Sequence, residues 1–125
     1  AAFTDNGKYR DLAEQTLTIA CETALRYPLG FARWLSAEEN AQGRTNQIAV
    51  LGVAEGLERL LKVIRAEYRP GVVTAASVFP PEKDAPALLH GRGLVDGKAT
   101  AYVCEGFVCK QPTNDPETLA NQLSK

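Results

Sequence analysis

The chain has 125 residues, 45% of them hydrophobic and 23% charged, and its formal net charge is −1. This length suits one domain with a real hydrophobic core, and the even spread of lysine and arginine argues against the cationic face that nucleic-acid phosphates require. No apolar run approaches the roughly 20 residues that cross a bilayer, and the first residues lack a secretion-signal pattern. We therefore expect one soluble, cytoplasmic domain that binds neither nucleic acid nor membrane.

Residues 1–45 are predicted to form a helical hairpin. Between Lys8 and Tyr27, apolar residues recur at steps of three and four, which is typical of one buried helix stripe. The stripe consists of Leu12, Ala13, Leu17, Ala20, Cys21 and Ala24. A second helix in "GFARWLSAEENA" places Phe31 and Trp34 on a shared face. These two aromatic side chains could line a sugar or aromatic-ligand pocket, but their helical spacing favours packing between the hairpin and the βαβ layer that follows.

A βαβ unit is predicted after the hairpin. The apolar run "QIAVLG" and the β-branched run "VVTAASVF" are predicted strands, and "EGLERLLKVIRAEYRPG" between them keeps helical spacing until Pro70. Two strands joined in this way are expected to be parallel, with a right-handed crossover. Gly52 lies at the strand-to-helix turn, where backbone amides can bind an anion. Because "LGVAEG" does not match a dinucleotide-binding fingerprint, a tight turn is the favoured explanation of this glycine.

The last third of the chain is predicted to contain a connector, a β-hairpin and a helix. "PPEKDAPALL" is proline-rich with one helical turn, and "HGRGLVDGK" is a predicted loop, not a phosphate loop, because Lys98 is followed by a strand. "ATAYVC" and "FVCK" are predicted strands, and Asp115 is the predicted N-cap of a helix with Pro116 at its first position. The predicted fold class is α/β or α+β: a helical hairpin packed on a small mixed sheet, which is built from a βαβ unit and a C-terminal β-hairpin, and a final helix.

Cys104 and Cys109 are the redox candidates of the chain. If Glu105 and Gly106 formed a two-residue turn, Cys104 would lie opposite Phe107 and would be a diagonal neighbour of Cys109, about 7 Å away between Cα atoms. Disulfides usually span about 4.4 to 6.8 Å, so this register favours two buried free thiols, with a structural or reversible disulfide second and metal or redox chemistry third. The pair also lacks the C-x-x-C spacing that is typical of redox-active cysteines.

The other candidate site residues are isolated in the sequence. Cys21 and His90 are the remaining cysteine and histidine. Because Cys21 is expected to be buried on the first helix stripe, the zinc ligand set is incomplete, and we expect no metal or other cofactor. His90 has no neighbouring nucleophile or carboxylate and is interpreted as a surface or capping histidine. Trp34, His90 and Tyr102 are the candidate pocket residues.

The segment "ATAYVCEGFVCKQPTNDPETLANQL", with "QIAVLG", "LLKVIRAEYRPGVV" and "LLHGR" upstream, resembles the C-terminal end of the spermatogenesis-associated, thioredoxin-domain-containing proteins. The resemblance implies a parent chain several times longer, with an N-terminal thioredoxin-like domain and a central α/α barrel similar to sugar epimerases and six-hairpin glycosidases. Residues 1–125 would then be a single C-terminal module, a fragment in which 1–45 hold the last barrel helices and 46–125 form an α/β subdomain.

The resemblance implies no activity for this module, so we expect an accessory or structural role, with the thioredoxin-like domain and the barrel of the parent chain as partners. One alternative is a thiol–disulfide partner, in which Cys104 and Cys109 receive oxidising equivalents from the thioredoxin-like domain. Another is support of a carbohydrate-active site in the barrel, with Trp34 nearby. Apolar surface left open in the isolated module is expected to promote dimerisation.

Overall fold

The computed structural model describes residues 2–43, 45–105 and 108–124, apart from the side chain of residue 54. The elements in chain order are α1 (Gly7–Arg26), α2 (Ala32–Gln42), β1 (Asn46–Gly52), α3 (Ala54–Arg65), β2 (Val72–Val78), a 3-10 turn (Ala87–Leu89), β3 (Thr100–Glu105), β4 (Val108–Cys109) and α4 (Pro116–Leu123). This order of helices and strands confirms the predicted α+β class. None of the described helices is long and apolar enough to cross a lipid bilayer.

The four described strands form one mixed sheet in the order β2, β1, β3, β4. β1 is parallel to β2, from Asn46 opposite Val72 to Gly52 opposite Val78. β3 is antiparallel both to β1 and to β4. The predicted parallel βαβ unit and the C-terminal hairpin are therefore confirmed, and β3 joins them by pairing with β1 in the middle of the sheet.

Both faces of β1 are buried. Ile48 packs with Leu60 of α3 and Leu119 of α4 on one face of the sheet. On the other face Leu51 packs with Leu89 of the 3-10 turn. Each of these five side chains is at most 2% exposed. Burial on both faces explains why the β1 sequence is a continuous apolar run without the alternation of a half-exposed strand.

Two glycines allow the start of β3 to approach β1 and α3. A Cβ atom added at Gly56 would lie 2.8 Å from the Cβ atom of Ala99, and one added at Gly52 would clash with the same atom. Ala99 is itself buried and immediately precedes β3. Close packing therefore requires a glycine at position 52, in addition to the tight turn between β1, which ends at Gly52, and α3, which begins at Ala54.

The helical hairpin is joined to the sheet by the residues that precede α1. α1 and α2 pack on each other, and no strand makes packing contact with either helix among the described residues. The carbonyl of Phe3 instead accepts a hydrogen bond from the Leu88 amide at 3.4 Å, and the carbonyl of Ala2 accepts one from Gln47 Nε2 at 3.3 Å. The expectation that Trp34 packs between the hairpin and the βαβ layer is wrong, because Trp34 lines a void of about 10 Å³ between α1 and α2.

Side chains fix one end of α3 and one end of α4. α3 ends at Arg65, earlier than its apolar spacing predicted, and Arg69 Nη1 donates to the carbonyl of Ile64 at 3.0 Å. α4 begins as predicted, because the Asp115 carboxylate accepts a hydrogen bond from the Thr118 amide at 2.8 Å. Hydrogen bonds from the Thr118 hydroxyl and amide lower the pKa of Asp115 below its usual value of 3.8.

Candidate functional site

Cys104 and Cys109 form a disulfide bond across the β-hairpin. They are direct partners in the register of β3 and β4, with Cα atoms 3.8 Å apart, and Glu105 is paired with Val108. Glu105 thus belongs to β3 and not to the expected turn. Position 106 was expected to complete that turn and position 107 to face Cys104, and both positions lie outside the described residues. The diagonal register was wrong, and so was the pair of free thiols that it favoured, because the cysteines face each other.

The backbone of the hairpin brings the two cysteine side chains together. The amide of Lys110 donates to the carbonyl of Val103 at 2.8 Å, so the neighbouring pair of cysteines occupies a position without hydrogen bonds between its own backbone groups. Side chains of such pairs approach each other more closely than those of hydrogen-bonded pairs. The ladder between β3 and β4 therefore positions the disulfide.

The two cysteines differ in exposure. Cys104 is 1% exposed, because β3 lies between β1 and β4. Cys109 is exposed, because β4 lies at the edge of the described sheet. A thiolate that approaches from solvent therefore reaches Cys109 and is excluded from Cys104.

The guanidinium group of Arg92 lies against both sulfur atoms. Its Nη2 is 3.6 Å from Cys104 Sγ, and its Nη1 is 3.8 Å from Cys109 Sγ. Nε donates to the carbonyl of Leu88 at 2.7 Å, and the guanidinium carbon lies 5.0 Å from the centre of the Tyr102 ring, within cation–π range. These contacts hold a positive charge beside the disulfide.

Tyr102 anchors the loop that carries Arg92. Its hydroxyl donates to the carbonyl of Gly93 at 2.8 Å and accepts from the amide of the same residue at 3.2 Å. Sequence reasoning named Tyr102 as a pocket candidate but missed Arg92, since no spacing rule connects a loop arginine with a cysteine on a later strand. The "LLHGR" segment contributes to the family resemblance, but nothing in its pattern indicates a contact with sulfur.

The other predicted site residues lie apart from the disulfide or at its margin. Trp34 belongs to α2 and is 38% exposed. His90 is exposed, and its amide donates to the carbonyl of Ala87 at the end of the 3-10 turn. Tyr102 is the pocket candidate that the structure places at the disulfide, and a carbohydrate-related role of the three residues stays a prediction. Cys21 is a free, half-buried thiol on α1, and no cluster of metal-ligating side chains occurs among the described residues.

A groove of about 970 Å³ lies between the helical hairpin and the sheet. On the hairpin side it is lined by α1 and the end of α2, including Tyr9. On the sheet side it is lined by Glu105 and Val108, which are the chain neighbours of the two cysteines.

The chain is similar to human spermatogenesis-associated protein 20. The two sequences are 29% identical over 127 residues, which is 97% of this chain and 16% of the human protein. The chain therefore spans about a sixth of the length of that relative, and the match agrees with the family resemblance seen in its sequence. No protein-family model matches the chain, and no solved structure matches it significantly.

Proposed function

We propose that the chain is an accessory module of a longer protein and that its disulfide exchanges with a partner dithiol. The observation that carries this proposal is the asymmetry of the bond: Cys109 is exposed on the edge strand, whereas Cys104 is buried against the Arg92 guanidinium. Thiol–disulfide exchange requires one sulfur that a thiolate can attack and another that leaves as a thiolate. The hairpin offers both.

The exchange is a two-electron reaction. One thiolate of the partner attacks Cys109 Sγ, a partner–Cys109 disulfide forms, the Cys104–Cys109 bond breaks, and its electron pair stays on Cys104. The second thiol of the partner then attacks the partner's first sulfur, which is bonded to Cys109 in the mixed disulfide, and Cys109 is released. The module ends with two thiols, which take the two protons of the partner dithiol, and the partner ends with a disulfide. The reverse reaction oxidises the module.

The parent protein implied by the family resemblance would supply the partner. A thioredoxin-like domain in that chain carries a dithiol of the required chemistry, and the chain spans 16% of the human relative, which leaves ample length for such a domain. We propose the cytoplasm as the location, as expected from the sequence. Disulfides of cytoplasmic proteins are mostly transient, catalytic or redox-sensing, which favours exchange over a purely structural bond.

A trapping experiment tests the exchange. The oxidised chain with Cys21→Ser is mixed with a thioredoxin-type protein whose second active-site cysteine is replaced by serine, so that the mixed disulfide accumulates. Intact mass spectrometry should show a one-to-one adduct, and peptide mapping should place it on Cys109. We expect the thioredoxin-type thiol to react at least roughly ten times faster than glutathione at equal concentration of thiolate.

The matched control is the chain with Cys104→Ser and Cys109→Ser, which should form no adduct. An adduct on Cys104 would contradict the proposed direction of attack. A rate no higher than that of glutathione would show that the disulfide has no preference for a thioredoxin-type partner, and the proposal would then be withdrawn.

We also propose that the helical hairpin docks on the helices of the parent's barrel. Tyr9, Leu12 and Ile19 lie on one side of α1 and are 57%, 60% and 82% exposed. Three large apolar side chains on one exposed helix side are typical of an interaction surface. In the isolated chain the same side is expected to pair with a second copy.

Charge substitution on this side of α1 tests the docking. Leu12→Glu with Ile19→Glu should convert the isolated chain from dimer to monomer in sedimentation experiments and should lower the melting temperature of the full parent protein. Thr18→Glu, at an exposed position on another side of α1, is the matched control. An isolated chain that is monomeric at all concentrations, together with an unchanged parent protein, would contradict the docking.

A further inference from the structure

We infer that Arg92 stabilises the thiolate of Cys104, which is the leaving group when an incoming thiolate opens the disulfide at the exposed Cys109. Arg92 is a catalytic residue in this role, because its Nη2 lies 3.6 Å from Cys104 Sγ, the sulfur that receives the electron pair. The role concerns the same disulfide as the proposed exchange and rests on that function for its biological purpose.

Burial alone would disfavour cleavage at this bond. Cys104 is 1% exposed, and a thiolate formed there loses the water that would otherwise solvate its charge. A positive charge within about 4 to 6 Å favours the ionised form of an acidic group. Arg92 is suited to this task, since a guanidinium group keeps its proton at any pH at which a protein is folded.

The guanidinium group of Arg92 is held in position beside the disulfide. The Leu88 carbonyl and the Tyr102 ring hold the guanidinium in place, so little reorganisation is needed when the thiolate forms. In the part of the chain that the structure describes, the ion pairs join other residues, and Arg92 takes part in none of them. None of these three ion pairs therefore neutralises the charge of Arg92.

The difference in exposure decides which sulfur is attacked and which one leaves. The incoming thiolate forms its bond with the exposed Cys109 Sγ, the disulfide breaks, and the electron pair moves to Cys104, where the guanidinium is 3.6 Å away. Cys109, when it is released in the second step, is solvated by water at the sheet edge. Arg92 is therefore expected to accelerate the first step, in which the buried thiolate is formed.

Reduction by dithiothreitol tests this role without a protein partner. In the Cys21→Ser background, Arg92→Gln should slow the opening of the disulfide by roughly threefold to tenfold, because a more basic leaving group leaves more slowly. Arg92→Lys keeps the positive charge and should restore much of the rate. Arg33→Gln, which removes an exposed arginine of α2, is the matched control and should leave the rate unchanged.

A second measurement separates a chemical role from a structural one. In the reduced chain with Cys109→Ser and Cys21→Ser, the ultraviolet absorbance of the thiolate gives the pH at which Cys104 is half ionised. Arg92→Gln should raise this pH by about one unit. An unchanged rate and an unchanged ionisation midpoint would overturn the role of Arg92, even if the variant were less stable to heat. If the single-cysteine chain did not fold, the reduction rates of the oxidised chains would decide alone.

The two proposals fail in different ways. A chain that ignores the thioredoxin-type protein but still shows Arg92-dependent reduction by dithiothreitol would refute the proposed function and support the role of Arg92. A chain that exchanges rapidly with the protein partner, but equally so with Arg92→Gln, would refute the role of Arg92 and support the proposed function.

Discussion

Reduction of the Cys104–Cys109 disulfide should lower the free energy of unfolding by about 2 kcal/mol. The cysteines are 5 positions apart, so the bond closes a short loop. Loop-closure entropy for this length is roughly 7 cal/mol/K, which corresponds to about 2 kcal/mol at about 25 °C. The unfolding entropy of a chain of 125 residues then converts this value to a fall in melting temperature of roughly 8 °C.

The effect is limited because other contacts hold both sides of the hairpin. β3 is paired with β1 along its length, and its inward residues Ala101 and Val103 lie in the core cluster that includes α3 and α4. The amide of Ala101 donates to the Thr113 carbonyl at 2.8 Å, which ties the chain after β4 to the sheet. The reduced protein is therefore expected to stay folded, as reversible exchange requires.

Urea unfolding of the oxidised and the reduced chain measures the difference directly. The chain with Cys104→Ala and Cys109→Ala is the control, and its stability should not respond to reductant. Cys21→Ser should retain the full response, because Cys21 is a free thiol. A loss above about 4 kcal/mol on reduction, or complete unfolding, would refute this reasoning, since the bond would then hold far more structure than its own loop.

Three further predictions concern the packing and the helix ends. Gly56→Ala should destabilise the protein by about 1 to 2 kcal/mol in urea unfolding, because its new Cβ would lie 2.8 Å from Ala99 Cβ. Gly7→Ala is the control and should be neutral or stabilising, because nothing lies within 4 Å of its new Cβ. Equal effects of the two substitutions would contradict the packing explanation. Leu119→Ala should cost about 2 to 5 kcal/mol, because this side chain is fully buried between α4 and the sheet. The ionised Asp115 carboxylate stabilises the folded state above its usual pKa of 3.8, and this stabilisation should be lost as the pH falls from 3.8 through the lowered pKa of the folded state. In urea unfolding at several acidic pH values, Asp115→Asn should show a weaker loss of stability over this range. An identical acid dependence in the variant would contradict the assignment.

Local patterns predicted most elements of the fold. The helical spacing before Pro28 and the β-branched run after Pro70 indicated α1 and β2. Of the predicted α1 stripe, Leu17 and Ala24 are buried, whereas Leu12 is 60% exposed. The parallel arrangement of β1 and β2 followed from the helix between them. Asp115 was recognised as the cap of α4 because an N-cap is defined by residues within one turn of the chain.

The register of the C-terminal hairpin could not be predicted from these patterns. A register that makes Cys104 a diagonal neighbour of Cys109 and a register that makes the two cysteines direct partners are both compatible with the alternation of β3 and β4. The choice depends on how β3 pairs with β1, where Cys104 lies opposite Gln47 and Glu105 opposite Asn46. The expected and the observed registers differ by two residues, so both place the two cysteines on the same face of the sheet, but only the observed register makes them direct partners. The diagonal separation in the expected register is why free thiols were favoured over a disulfide.

The sequence by itself determined the elements whose cause is local: the helical hairpin, the βαβ unit, the β-hairpin and the capped last helix. The tertiary structure alone decided which side chains meet between these elements. It paired Cys104 with Cys109, placed Arg92 against their sulfurs, and explained Gly52 by the approach of Ala99. Such contacts join residues on different elements, so their distances depend on the packing of the whole sheet and leave no periodic trace in the chain.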